Sequence, residues 1–135
     1  MELTNNDYEL INLAKQIVED NKDLYEKDLI VGCILKTKSG NIYKGINIKT
    51  SHSICAEQVA IGQALASGER QFDTIVAAKF NKDGTSRVVS PCGLCRYTFD
   101  KLEMDMNVIV EDEKSGNILK VKASELLPYP YNRNI

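Results

Sequence analysis

Cys55-Ala56-Glu57 and, a few dozen residues on, Ser90-Pro91-Cys92-Gly93-Leu94-Cys95 are the segments of this 135-residue chain whose residue types and spacing can do chemistry. On a helix, positions three apart share a face, so Cys92 and Cys95 can grip one ion. Pro91 has no amide hydrogen and suits the entry to such a helix. Cys55 completes three thiolate ligands. Three protein ligands leave the fourth tetrahedral position of Zn2+ open, which is the pattern of a catalytic site. Three thiolates also exceed Zn2+ by one negative charge. Helix N-termini return positive potential through their unpaired amides. Arg96, directly after the last cysteine, is expected to hydrogen-bond a thiolate and add to that tuning. Glu57, two residues past Cys55, has the chemistry to take a proton from water and deliver it to a ring nitrogen and a leaving amine.

Other readings of the same residues stay open. A lone CxxC also suits a thiol redox pair or a closed structural zinc site. The redox reading leaves Cys55 and Glu57 without a task. His52 is the only histidine. It reads either as a loop residue near the pocket or as a fourth ligand that closes a catalytically silent zinc module. The first is preferred, because it gives Glu57 a purpose. Cys33, in an apolar stretch, reads as a buried thiol.

Bulk properties narrow the class. The chain is 43% apolar and 27% charged, with a formal net charge of -2. That is enough apolar material for one core, and residues 1–135 read as a single domain. Mild acidity argues against a nucleic-acid partner, which would favour a basic face. No apolar run approaches the roughly 20 residues that cross a bilayer. Met1 to Asp7 has neither the basic nor the apolar region of a secretory signal, so a cytoplasmic location is expected. The four cysteines then read as ligands or buried thiols rather than disulfides.

These segments need elements to hold them. Thr4, Asn5 and Asn6 offer N-caps, and Leu10, Ile11, Leu13, Ala14, Ile17 and Val18 recur at helical spacing up to Asp20-Asn21. Leu29 to Lys36 and Ile42 to Ile48 read as strands joined by a turn at Lys38-Ser39-Gly40-Asn41. Cys55 to Ser67 reads as a helix stopped by Gly68. Phe72 to Phe80 reads as a buried central strand, followed by a turn at Asn81 to Gly84. A helix opens after Pro91. Asn107 to Glu111 and Ile118 to Val121 read as strands, and Ser124 to Leu127 as one helical turn before Pro128. Helices alternating with five strands predict an α/β fold, a three-layer α/β/α arrangement around a mixed sheet.

Cys-Ala-Glu followed by Ser-Pro-Cys-Gly-x-Cys-Arg resembles the signature of the cytidine deaminase family in its three-cysteine zinc form. Val31-Gly32, Gly45-Ile46-Asn47-Ile48 and Glu125-Leu126-Leu127-Pro128 resemble flanking family segments, so the likeness runs from about Leu29 to Tyr131. Phe72 to Ala77, Arg87 to Gly93 and the ending Tyr131-Asn132-Arg133-Asn134 look especially like the blasticidin-S deaminase branch, which acts on a nucleoside antibiotic. The resemblance implies a cytidine deaminase-like fold and hydrolytic deamination of the cytosine ring of a free nucleoside, as in pyrimidine salvage, or of blasticidin S. It implies that Asn47 bonds the sugar, that the Ala56 amide holds the pyrimidine O2, and that the Ser90 carbonyl accepts from the exocyclic amine. It also implies that Tyr131 helps close a site, with Tyr129 and Tyr131 alternatively packing on a partner subunit. A homotetramer is the implied assembly.

Four positions depart from the family pattern. Lys49 stands where a glutamate usually follows the sugar-binding asparagine, and Gln58 stands where arginine usually follows Cys-Ala-Glu. The stretch from Asn47 to Cys55 is shorter, and Leu29 replaces a phenylalanine. Lys49, and Arg87 with it, are candidates to pair with an acidic group on a modified sugar; Arg87 reads equally as a surface residue.

Overall fold

The computed structural model describes residues 1–132. Thr4 sets the first element. Its hydroxyl accepts from the Asp7 amide at 3.2 Å while the Asp7 carboxylate accepts from the Thr4 amide at 2.8 Å. This reciprocal cap starts helix α1 (Asn5–Asp20), whose buried stripe is Leu10, Ile11, Ala14, Ile17 and Val18. A 3-10 turn at Lys27–Leu29 follows, so the first strand begins two residues later than the sequence predicts. Strands β1 (Val31–Thr37) and β2 (Ile42–Ile46) form a hairpin. Helix α2 (Ala56–Ala66) ends before Gly68, whose φ of 92° suits a residue without Cβ. Strand β3 (Phe72–Phe80), strand β4 (Ser86–Val89), helix α3 (Gly93–Lys101) and strands β5 (Asn107–Glu111) and β6 (Ile118–Lys122) complete the order. A last 3-10 turn covers Ala123–Leu126, one residue off the predicted helical turn.

The sheet runs β2-β1-β3-β5-β6, with β4 also pairing β3. Among the described residues the sheet therefore has six strands instead of five. The extra one, β4, has four residues, of which only Val88 is buried. It carries no apolar alternation to mark it in the sequence. Its pairing with β3, from Ala77 opposite Val89 to Phe80 opposite Ser86, makes it a strand. One edge of β3 thus serves two partners. The parallel strand β5 pairs at Thr74 and Ile75, and β4 takes over from Ala77 onward. Beyond the end of β4, Ser90 bridges to β5: its hydroxyl donates to the Glu111 carbonyl at 3.1 Å and accepts from the Glu111 amide at 3.2 Å.

Side chains alternate across the pleat and fill two cores. On one face Ile34, Val76, Ala78, Val88 and Ile109 meet α1. On the other, Cys33, Leu35, Ile75, Ala77, Val108 and Val110 meet Ala60, Ile61 and Ala64 of α2 and Phe99 of α3. Three layers result, α1 on one side and α2 with α3 on the other, as the alternation of elements predicts. Among the described residues no helix is long and apolar enough to cross a membrane.

Candidate active site

Two helix starts meet on the face covered by α2 and α3. Cys55 is the N-cap of α2 and Cys92 the N-cap of α3, and Cys95 lies in the first turn of α3. Residues in this position leave their helices' first amides without intrahelical acceptors. No side-chain hydrogen bond caps α2. Both positive dipole ends therefore open onto one point.

The three sulfurs gather there. Cys55 Sγ lies 3.5 Å from Cys92 Sγ, and Cys92 Sγ lies 3.8 Å from Cys95 Sγ. All three sit within 4.8 Å of one another, and they are the one such ligand group among the described residues. A disulfide would hold two sulfurs at about 2.0 Å. A tetrahedral zinc with Zn–S bonds of about 2.3 Å sets its sulfurs about 3.8 Å apart. The donor set fits Zn2+, by spacing and by its soft thiolate chemistry. His52 is exposed in a turn and its ring contacts Ser51, outside this group. Cys33 is fully buried, as expected of a structural thiol.

The thiols differ electrostatically. Burial pushes Cys92 up, but hydrogen bonds from the Cys95 and Leu94 amides and its neighbouring thiols outweigh it, and its pKa falls below the ordinary value. Burial dominates at Cys55 and Cys95, raising both.

Beside the cluster is a cavity of about 210 Å³, lined among others by Val31, Asn47, Ala56, Glu57, Ser90 and Cys92. Glu57, only 6% exposed, sits in the first turn of α2. Burial raises its carboxyl above the usual carboxylate value. Ala56 is wholly buried and presents its backbone. Gly45 on β2 makes room for this turn, since a Cβ there would stand 2.1 Å from the Ala56 carbonyl oxygen.

Other predicted residues fall differently. Asn47 lines the cavity, yet its side chain is already engaged at both ends. Oδ1 accepts from the Val31 amide at 2.9 Å, and Nδ2 donates to the Leu29 carbonyl at 2.7 Å. An asparagine amide still keeps one N–H and one lone pair for a ligand. Arg96 does not bond a thiolate. Its Nε donates to the Pro91 carbonyl at 2.8 Å and Nη1 to the Leu126 carbonyl at 3.5 Å. The guanidinium is drawn to these carbonyls because both lie where the chain enters α3 and where it returns at the last 3-10 turn. Arg87 pairs with Glu111 at 3.4 Å. Tyr131 is 72% exposed and does not line the cavity. Arg133 and Asn134 of the C-terminal likeness lie outside the described residues.

Sequence reasoning passed over two contacts. Gln58 donates to Cys95 Sγ at 3.6 Å and to Thr98 Oγ1 at 2.9 Å, although only its departure from arginine is visible in the sequence. Tyr25 donates its hydroxyl hydrogen to the Asn47 carbonyl and accepts from the Lys49 amide, fixing the segment beside the pocket. No local signal announces that tyrosine, which sits 22 residues from Asn47.

The fold and the gathered thiols together define a metal-binding α/β enzyme with its site at two helix starts. A profile described as the cytidine and deoxycytidylate deaminase zinc-binding region matches residues 4–111, and the chain belongs to that family. It is therefore a hydrolytic deaminase, cleaving a C–N bond. A blasticidin-S deaminase of Bacillus cereus is 35% identical over 98% of this chain and 96% of its own length. A cytidine deaminase of Shewanella sediminis is 39% identical over 64% of this chain, which spans only 25% of that relative. The structure resembles cytidine deaminase from Bacillus anthracis, with TM-score 0.77 and 21% identity over 94% of this chain and 90% of the other. The Burkholderia pseudomallei cytidine deaminase gives TM-score 0.68 and 23% identity over 89% and 98%. At these identities the solved structures speak to the fold.

Proposed function

We propose that this protein hydrolyses the exocyclic amine of a cytosine nucleoside, converting cytidine or deoxycytidine to the uracil product and ammonia. The observation that carries the reading is the placement of buried Glu57 in one cavity with the Cys55 and Cys92 ends of the thiol cluster. Cys55, Cys92 and Cys95 would hold Zn2+. Bound there, the ion supplies the Lewis acidity that makes water nucleophilic near neutral pH.

The chain's own groups do the rest. Glu57 moves protons: its carboxylate accepts one from the attacking water and hands it to the ring nitrogen, then accepts a second from the newly added hydroxyl and hands it to the amine, which departs as ammonia. Its buried position keeps bulk water from competing. The Ala56 amide, a first-turn donor of α2, orients the pyrimidine O2. The Ser90 carbonyl accepts from the exocyclic amine. Its hydroxyl, stitched to both backbone groups of Glu111, holds that carbonyl in place. The remaining N–H and lone pair of Asn47 contact the sugar. Arg96 acts on the site only by fixing the Pro91 carbonyl ahead of Cys92. We also read the chain as one domain assembling as a homotetramer, with Tyr131 serving a neighbouring copy's site.

A second reading has its own support. The near full-length likeness to a blasticidin-S deaminase, with Lys49 in place of a sugar-binding glutamate, favours an aminoacyl nucleoside carrying an acidic group. The deciding experiment follows the ultraviolet change on deamination of cytidine, deoxycytidine and blasticidin S side by side. Turnover of the simple nucleosides at least equal to that of blasticidin S supports the first reading, and the reverse order supports the second. Release of ammonia from none of them would leave a silent zinc module.

A further inference from the structure

Between the two helices that carry the thiols, one neutral side chain makes a double contact. Gln58 follows Glu57 in the first turn of α2, half-buried against α3. Its Nε2 reaches Cys95 Sγ at 3.6 Å and Thr98 Oγ1 at 2.9 Å. Cys95 and Thr98 are three residues apart and so share one face of α3. Thr98 is itself oriented, its hydroxyl donating to the Leu94 carbonyl at 3.0 Å. That donation leaves the Thr98 oxygen free to accept, and its acceptance aims the Gln58 amide. The amide has two hydrogens, one for each partner.

We infer that Gln58, aimed by Thr98, is a positioning residue for the Cys95 thiolate: it holds the sulfur in register with those of Cys55 and Cys92 and takes up part of its negative charge by hydrogen bonding. The inference rests on the reading of the three cysteines as zinc ligands. A sulfur surrounded by two further thiolates and buried beside Glu57 gains more from a donor than an exposed one does. Arg96 does not supply that donor: its Nε and Nη1 donate to the Pro91 and Leu126 carbonyls. A neutral donor eases the charge on this one sulfur but leaves the net charge of a three-thiolate site unchanged. Compensation then falls to the first-turn amides of α2 and α3.

The test compares the wild type with Gln58→Met, which keeps length and loses the donor, and with Thr98→Val, which keeps shape and loses the acceptor. Zinc affinity is read by competition with a chromophoric chelator, and the cobalt(II)-loaded proteins are read by their thiolate-to-metal charge-transfer bands. Gln58→Met is expected to weaken zinc binding roughly 10- to 100-fold and to shift the charge-transfer band. Thr98→Val should shift both in the same direction by less, and the double variant should bind no more weakly than Gln58→Met. An affinity for Gln58→Met within about threefold of wild type, with an unchanged band, overturns the inference. If Gln58→Met fails to fold, Thr98→Val alone decides by the same two readouts. A wild type that binds no zinc would instead defeat the underlying ligand assignment.

Discussion

Gly45 and Ala56 are in contact across 11 residues of chain, with strand β2 pressed against the first turn of α2 so closely that no side chain fits between them. A Cβ on Gly45 would meet the Ala56 carbonyl at 2.1 Å and the Ala60 amide at 2.8 Å. Both are backbone atoms and cannot rotate aside. Gly45→Ala is therefore expected to move the start of α2, and with it Cys55, Ala56 and Glu57. Overpacking of this kind costs roughly 1–3 kcal/mol. Urea unfolding should show that loss together with a fall in turnover; a variant as stable and active as wild type would show that the contact can relax.

Glu57→Gln keeps the shape of the buried side chain and removes its ability to take a proton. Turnover should fall by at least about 100-fold, the lower end of what a positioned acid–base group contributes. Zinc content, measured by atomic absorption, should not change. Loss of the metal along with the activity would make Glu57 part of the ligand set instead.

Metal content should follow the geometry of the sulfurs. Alanine at Cys55, Cys92 or Cys95 should abolish or sharply reduce zinc binding. Alanine at Cys33 or His52 should leave about one zinc per chain, because neither belongs to the cluster. Dialysis against a chelator should abolish deamination, and added Zn2+ should restore it. Full zinc loss in His52→Ala would point to a closed four-ligand site.

Acid stability should depend on Asp7. Its carboxylate is 2.6 Å from the Lys120 ammonium, which is itself mostly buried. Burial pushes the Asp7 pKa up, but the Lys120 and Thr4 hydrogen bonds and the Lys120 charge outweigh it and hold it below 3.8. A depressed carboxylate stabilises the fold above its unfolded pKa, and that contribution is lost as pH falls through its folded pKa. Asp7→Asn should thus cost about 3 kcal/mol at neutral pH, because it strands a buried lysine. The gap between variant and wild type should narrow as pH drops below 3.8. Urea midpoints across that range give the measurement, and a gap constant throughout would contradict the pairing.

The sequence by itself singled out the residues that gather at the candidate site and most of the frame. Cys55, Glu57, Cys92 and Cys95 declare themselves because ligand spacing on helices is local, and helix starts and turns are local too: the Thr4 cap, the stop at Gly68 and the hairpin between β1 and β2 all follow from neighbours in the chain. Tertiary structure alone decided where the long-range polar groups point. Asn47 turned its amide to the backbone at Leu29 and Val31, Arg96 went to two carbonyls rather than a sulfur, and Gln58 took up the sulfur contact. Strand β4 likewise exists only as a partner of β3. A flexible polar side chain can reach several acceptors, and which one it finds depends on elements that folding brings together from distant parts of the chain.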